Sequence, residues 1–307
     1  MSQQTSGRRM KIGFSPAIHG VVGSGQMPRF RDLQAQARAA EQIGLDSLWV
    51  ADHVVWPFST QEERGCWEAF TVLSGLAALT SRIQLGPLVA CTSFRNPALL
   101  AKMADSLDEI SDGRFMLGLG AGWSELEYRA FGYPFDHLAS RFEEALQIIV
   151  PLLRQGQVDF AGKYYQACEA VLRPRGPSRS GPPIWIGGSK PRLLELTARY
   201  ADGWNRAWLP RAAQIAEEYP RLLEACQKVG RDPATLEVTV GTAVELLAPG
   251  QQPKADTEWI TGSAEHIAEE LRAFAKAGVT HLIVSFEPEG VASIEQFAHV
   301  LEILNQG

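Results

Sequence analysis

Short apolar runs alternate with longer amphipathic stretches along the whole chain. Eight apolar runs are typical of strands, and they begin near Lys11, Ser47, Gln84, Phe115, Ile184, Gly203, Glu237 and Leu282. Helical spacing of apolar residues falls between them, at residues 30–43, 96–110, 141–154, 191–200 and 263–277. Strands that alternate with helices predict a parallel sheet, and eight such units predict an α/β fold of the (β/α)₈ TIM-barrel type. An open doubly wound sheet is the alternative, and no GxGxxG motif supports it.

The segment between the fourth and fifth predicted strands is about twice as long as its neighbours. Its excess contains a helix and an insertion at about residues 155–183 that ends in RPRGPSRSGPP. Such a stretch favours no regular structure, and we expect it to lie across the barrel mouth. Its arginines would either be solvated or form a lid that attracts an anionic ligand; they are Arg173, Arg175 and Arg179. We predict a disordered arm at residues 1–9 and a single domain at 10–307.

Composition narrows the class of protein. The chain has 307 residues, 45% of them hydrophobic and 21% charged, with a net charge of −6. This acidic balance argues against a nucleic-acid partner. There is no apolar run of about 18 residues for a membrane helix, and the N-terminus lacks the pattern of a secretory signal. The four cysteines form no CxxC pair and the six histidines show no metal-ligand spacing. We therefore expect no metal and a cytoplasmic protein.

The loops after the predicted strands contain the candidate chemistry, because active sites of TIM barrels form at the C-terminal ends of the strands. Asp52 and His53 follow the second strand, with Trp56 close behind. A lone histidine is more often a satisfied structural residue, but this location favours a role in proton transfer. Trp56 would either supply an apolar wall of the site or have only a packing role in the structure.

Two glycine-rich loops predict an anion site. GLGAGW at 118–123 follows the fourth strand, and GGSKP at 187–191 follows the fifth strand and leads into a helix. Glycines let backbone amides approach a ligand closely, and free amides at a helix N-terminus attract anions. Tight turns use the same residues, so each loop alone is weak evidence for an anion site. Two such loops on neighbouring strands indicate that a phosphate is held between them. In the third strand, Gly86 and Pro87 predict a bulge or distortion.

Longer segments resemble the bacterial-luciferase-like family of flavin and deazaflavin monooxygenases. The matching segments are AEQIGLDSLWVADHV, LTSRIQLGPLV, FRNPALLAKMADSLDEISDGRFMLGLGAGW, EYRAFGYPF, PPIWIGG and ARYADGWN. They occur in order and cover nearly the whole chain. Long ordered matches are more specific than any single motif.

The resemblance implies a role for each matching position. Leu88 and Val89 would form a non-prolyl cis bulge that backs the central ring of the cofactor. The other cofactor-binding positions implied are Asp52, Gly120, Gly122, Trp123, Glu127, Gly187, Gly188 and Ser189. Of these, the Gly120 loop would lie beside the ribityl chain and the Gly187 loop would cradle the phosphate. His53 and Trp56 would be the catalytic residues, His53 handling the proton.

The branch that the resemblance favours uses coenzyme F420 for hydride transfer between deazaflavin C5 and a small organic substrate. An FMN-dependent two-component monooxygenase is the alternative, and a non-catalytic flavin-binding barrel is a further one. Trp123 stands where the sugar-phosphate dehydrogenases of this family have a carboxylate, which argues against sugar-phosphate oxidation. The resemblance also implies a homodimer, with Trp67 or the second and third helices as apolar contacts, and a flavin or F420 reductase as a partner.

Overall fold

A computed structural model describes residues 10–20, 27–58, 65–247, 251 and 258–306. The predicted arm at residues 1–9 lies outside this part of the chain. The strands are β1 (Lys11–Phe14), β2 (Ser47–Val50), β3 (Gln84–Pro87), β4 (Ala90–Cys91), β5 (Leu117–Gly120), β6 (Gln157–Ala161), β7 (Gln166–Val171), β8 (Ile184–Gly187), β9 (Gly203–Arg206), β10 (Glu237–Glu245), β11 (Ile260–Thr261) and β12 (His281–Glu287). The helices are α1 (Phe30–Ile43), α2 (Ala69–Leu79), α3 (Pro97–Ile110), α4 (Glu125–Phe131), α5 (Leu138–Gln155), α6 (Pro191–Tyr200), α7 (Ala213–Val229), α8 (Ala264–Lys276) and α9 (Val291–Asn305).

The main sheet is parallel and closes on itself. Its strand order is β3-β2-β1-β12-β10-β9-β8-β5-β4, with β11 paired to β10. The ring is completed where Leu85 of β3 pairs with Phe115, just before β5. The Leu85 amide donates to Arg114 O at 3.1 Å, and the Met116 amide donates to Leu85 O at 2.9 Å. This arrangement confirms the predicted TIM barrel.

The helices form where the sequence predicts them. In α1 the buried side chains lie on one side, and Gly44 ends the helix in the left-handed conformation at φ 91°. Asn96 caps α3 by accepting from the Ala98 and Leu99 amides. Ser263 caps α8 by accepting from the His266 amide. Asn96 and Ser263 thus start their helices after loops at the mouth, whereas Gly44 leads from α1 into β2 at the other end of the barrel.

The third predicted strand is interrupted, as its Gly and Pro predict. It divides into β3 and β4, and the Leu88–Val89 peptide bond between them is cis. The bulge implied by the family resemblance is therefore confirmed. Leu88 packs on a buried cluster within the barrel, formed by Trp49, Met116, Trp185 and Ile283.

Large side chains fill the lower part of the barrel, near the N-terminal ends of the strands. Trp49 and Trp185 stack with ring centroids 4.3 Å apart. Their bulk depends on glycines opposite, because a Cβ at Gly13 would lie 2.2 Å from Ser47 Oγ and one at Gly203 would lie 2.6 Å from Trp185. The lower interior is therefore closely packed.

The insertion at about residues 155–183 contains regular structure that the sequence did not predict. Strands β6 and β7 form an antiparallel hairpin, whose tip packs on the N-terminal part of α5, where Glu144 accepts from the Lys163, Tyr164 and Tyr165 amides. A hairpin was not predicted because its alternation of apolar residues is weak.

The arginine-rich stretch lies at the other end of the barrel from the mouth. It leads directly into β8, and Pro183 O accepts from the amide of Leu117, the first residue of β5. Arg175 pairs with Asp105 at 3.4 Å and donates to Leu153 O, so it anchors the stretch to α3 and α5. The prediction that this stretch crosses the mouth as an arginine lid is therefore wrong.

Candidate active site

His53 and Glu127 form a buried pair at the mouth of the barrel. His53 follows β2, and Glu127 lies in the first turn of α4, just after the loop that leaves β5. The His53 Nδ1 atom lies 3.0 Å from Glu127 Oε2, and their side chains are 15% and 3% exposed. Glu127 Oε1 also accepts from the Val54 amide at 2.9 Å. This pairing directs Nδ1 toward the carboxylate and leaves Nε2 as the nitrogen that can exchange a proton with a ligand.

Asp52 lies beneath this pair and is held by Arg95. Its two carboxylate oxygens accept from the Arg95 guanidinium at 2.7 and 2.8 Å, and Oδ2 also accepts from the Cys91 amide. Arg95 reaches on to Glu68 at 2.5 Å. Burial opposes it, but the hydrogen bonds and charges of these two acids raise the pKa of Arg95. These contacts connect the loops after β2 and β4, so Asp52 positions the site and does not present a free oxygen to a cofactor.

The backbone of His53 is also fixed. Cys66 donates from Sγ to His53 O at 3.1 Å. Burial, together with the nearby charge of Glu127, raises the pKa of the Cys66 thiol to about 12, which keeps it a neutral donor. Cys66 in turn forms an antiparallel bridge with His19, in the loop after β1. The end of the same loop, at Cys66, and the loop after β1 therefore brace the His53 segment.

An aromatic group surrounds His53. Trp56 meets the His53 ring edge-on at 5.0 Å, while its other side stacks on His19 at 3.6 Å. Phe58 and Trp123 lie 5.4 Å apart and each is about 6 Å from His53, at 6.4 and 6.2 Å. Phe58 is 66% exposed and Trp123 is 58% exposed. This group, which we call the aromatic rim, presents large apolar surface to a ligand.

Bare backbone surrounds Val89 at the floor of the mouth. A Cβ at Gly120 would lie 2.7 Å from Val89 Cγ2, and one at Gly118 or Gly187 would lie 3.0 Å from a Val89 methyl. No side chain could replace these hydrogens without a shift. These glycines therefore make room for the Val89 side chain, which fills the space beside them at the mouth.

Gly122 allows the loop after β5 to turn. It has φ 78°, and a Cβ there would lie 2.1 Å from the Tyr128 hydroxyl oxygen. That hydroxyl donates to Ala121 O at 2.9 Å and contacts Cys91 Sγ at 3.2 Å. Gly122 therefore lets α4 pack under its own loop, which brings Glu127 to His53.

The second glycine loop ends at an uncapped helix. Gly188 has φ 122°, and a Cβ there would lie 2.6 Å from Leu193. Trp204 holds the turn by donating from Nε1 to Gly188 O at 2.7 Å. α6 then starts at Pro191 with no side-chain cap on its first turn. Its free amides, next to Ser189, fit an anionic group.

The structure thus brings together most of the predicted site. His53, Trp56, Trp123 and Glu127 are in one cluster, and Val89 lies against Gly120 and Gly187. Three aromatic or imidazole rings of the mouth were missed, namely His19, Phe58 and Trp208. Their positions after β1, β2 and β9 were the available signal. Trp208 is 47% exposed and lies over Gly241 of β10.

Two expectations from the sequence concern metal sites and membrane-spanning helices. They contain no group of three or more His, Cys, Asp or Glu side chains that could hold a metal ion. Within the same part of the chain, no helix is both long and apolar enough to cross a membrane.

Comparison with known proteins places these features in a family. The family model for luciferase-like monooxygenases matches residues 10–252. The chain is 33% identical over 249 residues to the phthiodiolone/phenolphthiodiolone dimycocerosates ketoreductase of Mycobacterium tuberculosis, covering 74% of this chain and 63% of that protein. It is 34% identical over 247 residues to the F420-dependent hydroxymycolic acid dehydrogenase of the same organism, covering 77% and 64%. The chain therefore spans somewhat less than two thirds of the length of these relatives.

Solved structures show the same fold. An F420-dependent secondary alcohol dehydrogenase in complex with an F420-acetone adduct superposes with a TM-score of 0.81. Its sequence is 20% identical, and the match covers 96% of this chain and 99% of that one. Likeness at this identity concerns the fold.

Proposed function

The chain belongs to the luciferase-like monooxygenase family, and from this membership we propose that it is an F420-dependent oxidoreductase acting on a small organic substrate. The observation that carries the proposal is the His53–Glu127 pair at the barrel mouth. It places an oriented imidazole at the same end of the barrel as Val89 and the glycines around it. That is the arrangement needed to move a proton next to a flat redox cofactor.

The residues at the mouth fit such a cofactor. Val89, which follows Leu88 and packs against Gly120 and Gly187, would form an apolar floor under the cofactor ring. The uncapped first turn of α6, with Gly187, Gly188 and Ser189, would hold the phosphate. When bound, the deazaflavin supplies a carbon that gives or accepts a hydride. Gly122 would shape the loop beside the cofactor, while Asp52 positions the surrounding loops.

His53 would exchange the proton that accompanies the hydride. In its neutral form Nδ1–H donates to Glu127, so Nε2 can accept a proton from a substrate hydroxyl. The buried Glu127 carboxylate stabilises the imidazolium that results. In the reverse direction the same Nε2–H donates to a carbonyl oxygen. Glu127 is a positioning residue in this scheme, and Trp56 limits the imidazole to one orientation.

The substrate would be an apolar secondary alcohol or ketone. The aromatic rim offers Phe58 and Trp123 as exposed surface next to His53, and Trp208 adds a third exposed ring. Burial of such rings against an apolar ligand is favourable, at roughly 25 cal/mol per Å². Two relatives of this chain are named for ketone reduction or for dehydrogenation of a hydroxylated lipid. Carbonyl–carbinol interconversion is consistent with an imidazole at the mouth that pairs with an acid, as His53 does with Glu127.

We propose three further properties, which concern the compartment, a second copy of the chain and a reductase partner. The cysteines are all free thiols, which fits a reducing compartment such as the cytoplasm. Trp67 and Leu99 expose large apolar surface on the α2–α3 side of the barrel, and a second copy of this chain would cover it. A separate reductase would regenerate the cofactor where the substrate itself does not.

Parallel calorimetric titrations test the cofactor. The apoprotein is titrated with F420 and with FMN, each oxidised and reduced. Tight binding of F420 alone is the expected result. Preference for reduced FMN would replace the proposal with an oxygen-activating monooxygenase, and binding of neither would overturn it.

A further inference from the structure

His19 forms a face-to-face stack with Trp56 that the chemistry described above does not use. The two ring centroids are 3.6 Å apart and the rings are inclined by only 15°. Trp56 also meets the His53 ring, nearly at right angles, at 86°. The indole therefore contacts two imidazoles, and only His53 pairs with an acid.

The structure gives His19 little freedom to move. Its Nδ1 atom lies 2.9 Å from Gly20 O, so the ring donates to its own neighbouring carbonyl. Its backbone bridges to Cys66, and the Trp67 amide donates to Ile18 O at 3.0 Å. The His19 ring is thus anchored to the same Cys66 segment that fixes the His53 carbonyl.

The two imidazoles lie in different electrostatic surroundings. Burial lowers the pKa of His19; its hydrogen bond to Gly20 O opposes this, and the positive charge of a protonated His53 lowers it further. His53, in contrast, has the Glu127 carboxylate beside it. His19 therefore stays neutral when a proton resides on His53, and it can serve as a flat apolar surface.

We propose that His19 is a positioning residue for proton transfer, acting as a planar ring that fixes Trp56 against His53. The inference rests on the proposed function, since it concerns the proton step of that reaction. What the stack contributes is orientation. An edge-on contact limits the rotation of the His53 ring only if the indole cannot tilt, and His19 restricts that tilt by stacking on one face of the indole. Neither ring nitrogen of His19 needs to exchange a proton.

Two substitutions separate a planar surface from a chemical group. His19→Phe keeps a flat ring but removes both nitrogens, whereas His19→Leu keeps a side chain of similar size without a face. We expect His19→Leu to lower kcat about 10- to 100-fold, since a small misplacement of a reacting group can cost up to roughly 10²-fold. KM should change little. His19→Phe should retain kcat within about threefold, because orientation and not proton transfer is what His19 supplies. The assay follows F420 reduction with 1-phenylethanol, and His299→Leu, at an exposed position on α9, is the matched control.

A second readout does not depend on cofactor or substrate. In protein labelled at the histidine Cε1 carbon, the ring current of Trp56 should move the His19 signal upfield. Trp56→Leu should remove that displacement, and His19→Phe identifies the signal by its loss. The Cε1 signal of His53 should broaden or move in His19→Leu but not in His19→Phe.

The outcomes distinguish the inference from the proposed function. If the wild-type protein turns over and His19→Leu matches it, or if His19→Phe is as impaired as His19→Leu, the positioning role is wrong. If no displaced histidine signal exists, the stack itself is wrong. If the wild-type protein shows the displaced signal but neither binds nor reduces F420, the proposed function has failed, and the role of His19 in that reaction fails with it.

Discussion

The interior of the barrel contains two layers, and the same strands contribute side chains of different size to each layer. In the lower layer Trp49 and Trp185 fill the space, and glycines stand only where those rings need room. In the upper layer glycines surround Val89, and the large rings are moved outward to the rim. Met116, just before β5, and Trp185 of β8 lie below, and both strands supply glycines above. A change of side-chain size along one strand thus separates the part that stabilises the barrel from the part that receives a ligand.

The polar groups of the two layers differ in the same way. In the lower layer His281 is fully buried, and its Nε2 atom lies 2.6 Å from Ser47 Oγ. Trp49 donates from Nε1 to the same Ser47 Oγ at 2.7 Å. Above, His53 is paired with a carboxylate and remains partly exposed. Burial without an acid keeps a histidine neutral, while burial beside an acid allows it to be charged. Only the upper histidine is suited to catalysis.

The largest effect should come from His53→Gln. We expect kcat to fall about 10²- to 10⁴-fold, the usual contribution of a general acid–base group. F420 affinity and the urea midpoint should stay close to wild type, because His53 makes few packing contacts with the core. Steady-state kinetics with equilibrium unfolding checks both. A variant with wild-type kcat would remove His53 from the mechanism.

The two layers should respond differently to loss of a tryptophan. Trp185→Ala should lower the free energy of unfolding by about 3–5 kcal/mol, as deletion of a buried aromatic ring does. Trp123→Ala, at a side chain 58% exposed, should change it by less than about 0.5 kcal/mol. Urea denaturation measures both. Equal losses would show that the rim is part of the core.

The pH dependence of stability tests the lower histidine. Burial lowers the pKa of His281 from 6.5 to about 3. The unfolded chain therefore takes up a proton below about pH 6.5 that the folded protein does not accept until about pH 3. Stability falls as the pH drops through this interval, by about 2 kcal/mol at pH 5. His281→Gln should lose this part of the slope in urea titrations at pH 7 and 5. An unchanged slope would mean that His281 is accessible to protons.

The smallest effect concerns the glycines. Gly120→Ala places a Cβ 2.7 Å from Val89 Cγ2, and we expect F420 affinity to fall about tenfold, which corresponds to 1.4 kcal/mol. Gly13→Ala, which crowds Ser47 in the lower layer, should cost about 1–3 kcal/mol of stability and leave affinity unchanged. Calorimetry and unfolding separate the two. If Gly13→Ala also weakened F420 binding, the layers would not be independent.

The sequence predicted the barrel well because each of its strands is a local apolar run with a turn after it. Gly86 and Pro87 predicted a distortion of the third strand from local sequence, whereas the cis bond at Leu88 and Val89 was implied by the family resemblance. The partner of Glu127 was not predicted, because the side chain of His53 reaches it across 74 positions of sequence. Contacts of this kind depend on how loops from different strands meet.

Local composition also misplaced the insertion. The arginine-rich stretch has the residues of an anion-binding lid, but Arg175 is used to anchor it to Asp105 on the far side of the barrel. In the hairpin before it, backbone amides donate to the Glu144 carboxylate. No pattern of apolar residues predicts such hydrogen bonds. The charge of the arginine-rich stretch therefore led to a predicted position at the wrong end of the barrel.

The most direct test of the account is anaerobic turnover with a hydride label. The protein is mixed with oxidised F420 and 1-phenylethanol deuterated at the carbinol carbon, in the absence of oxygen, and the reduced deazaflavin is analysed by mass spectrometry. Oxygen-independent reduction with deuterium on the deazaflavin is expected, and its rate should fall about 10²- to 10⁴-fold in His53→Gln. Turnover that requires oxygen and reduced FMN, or F420 reduction at the wild-type rate in His53→Gln, would contradict the proposed hydride transfer.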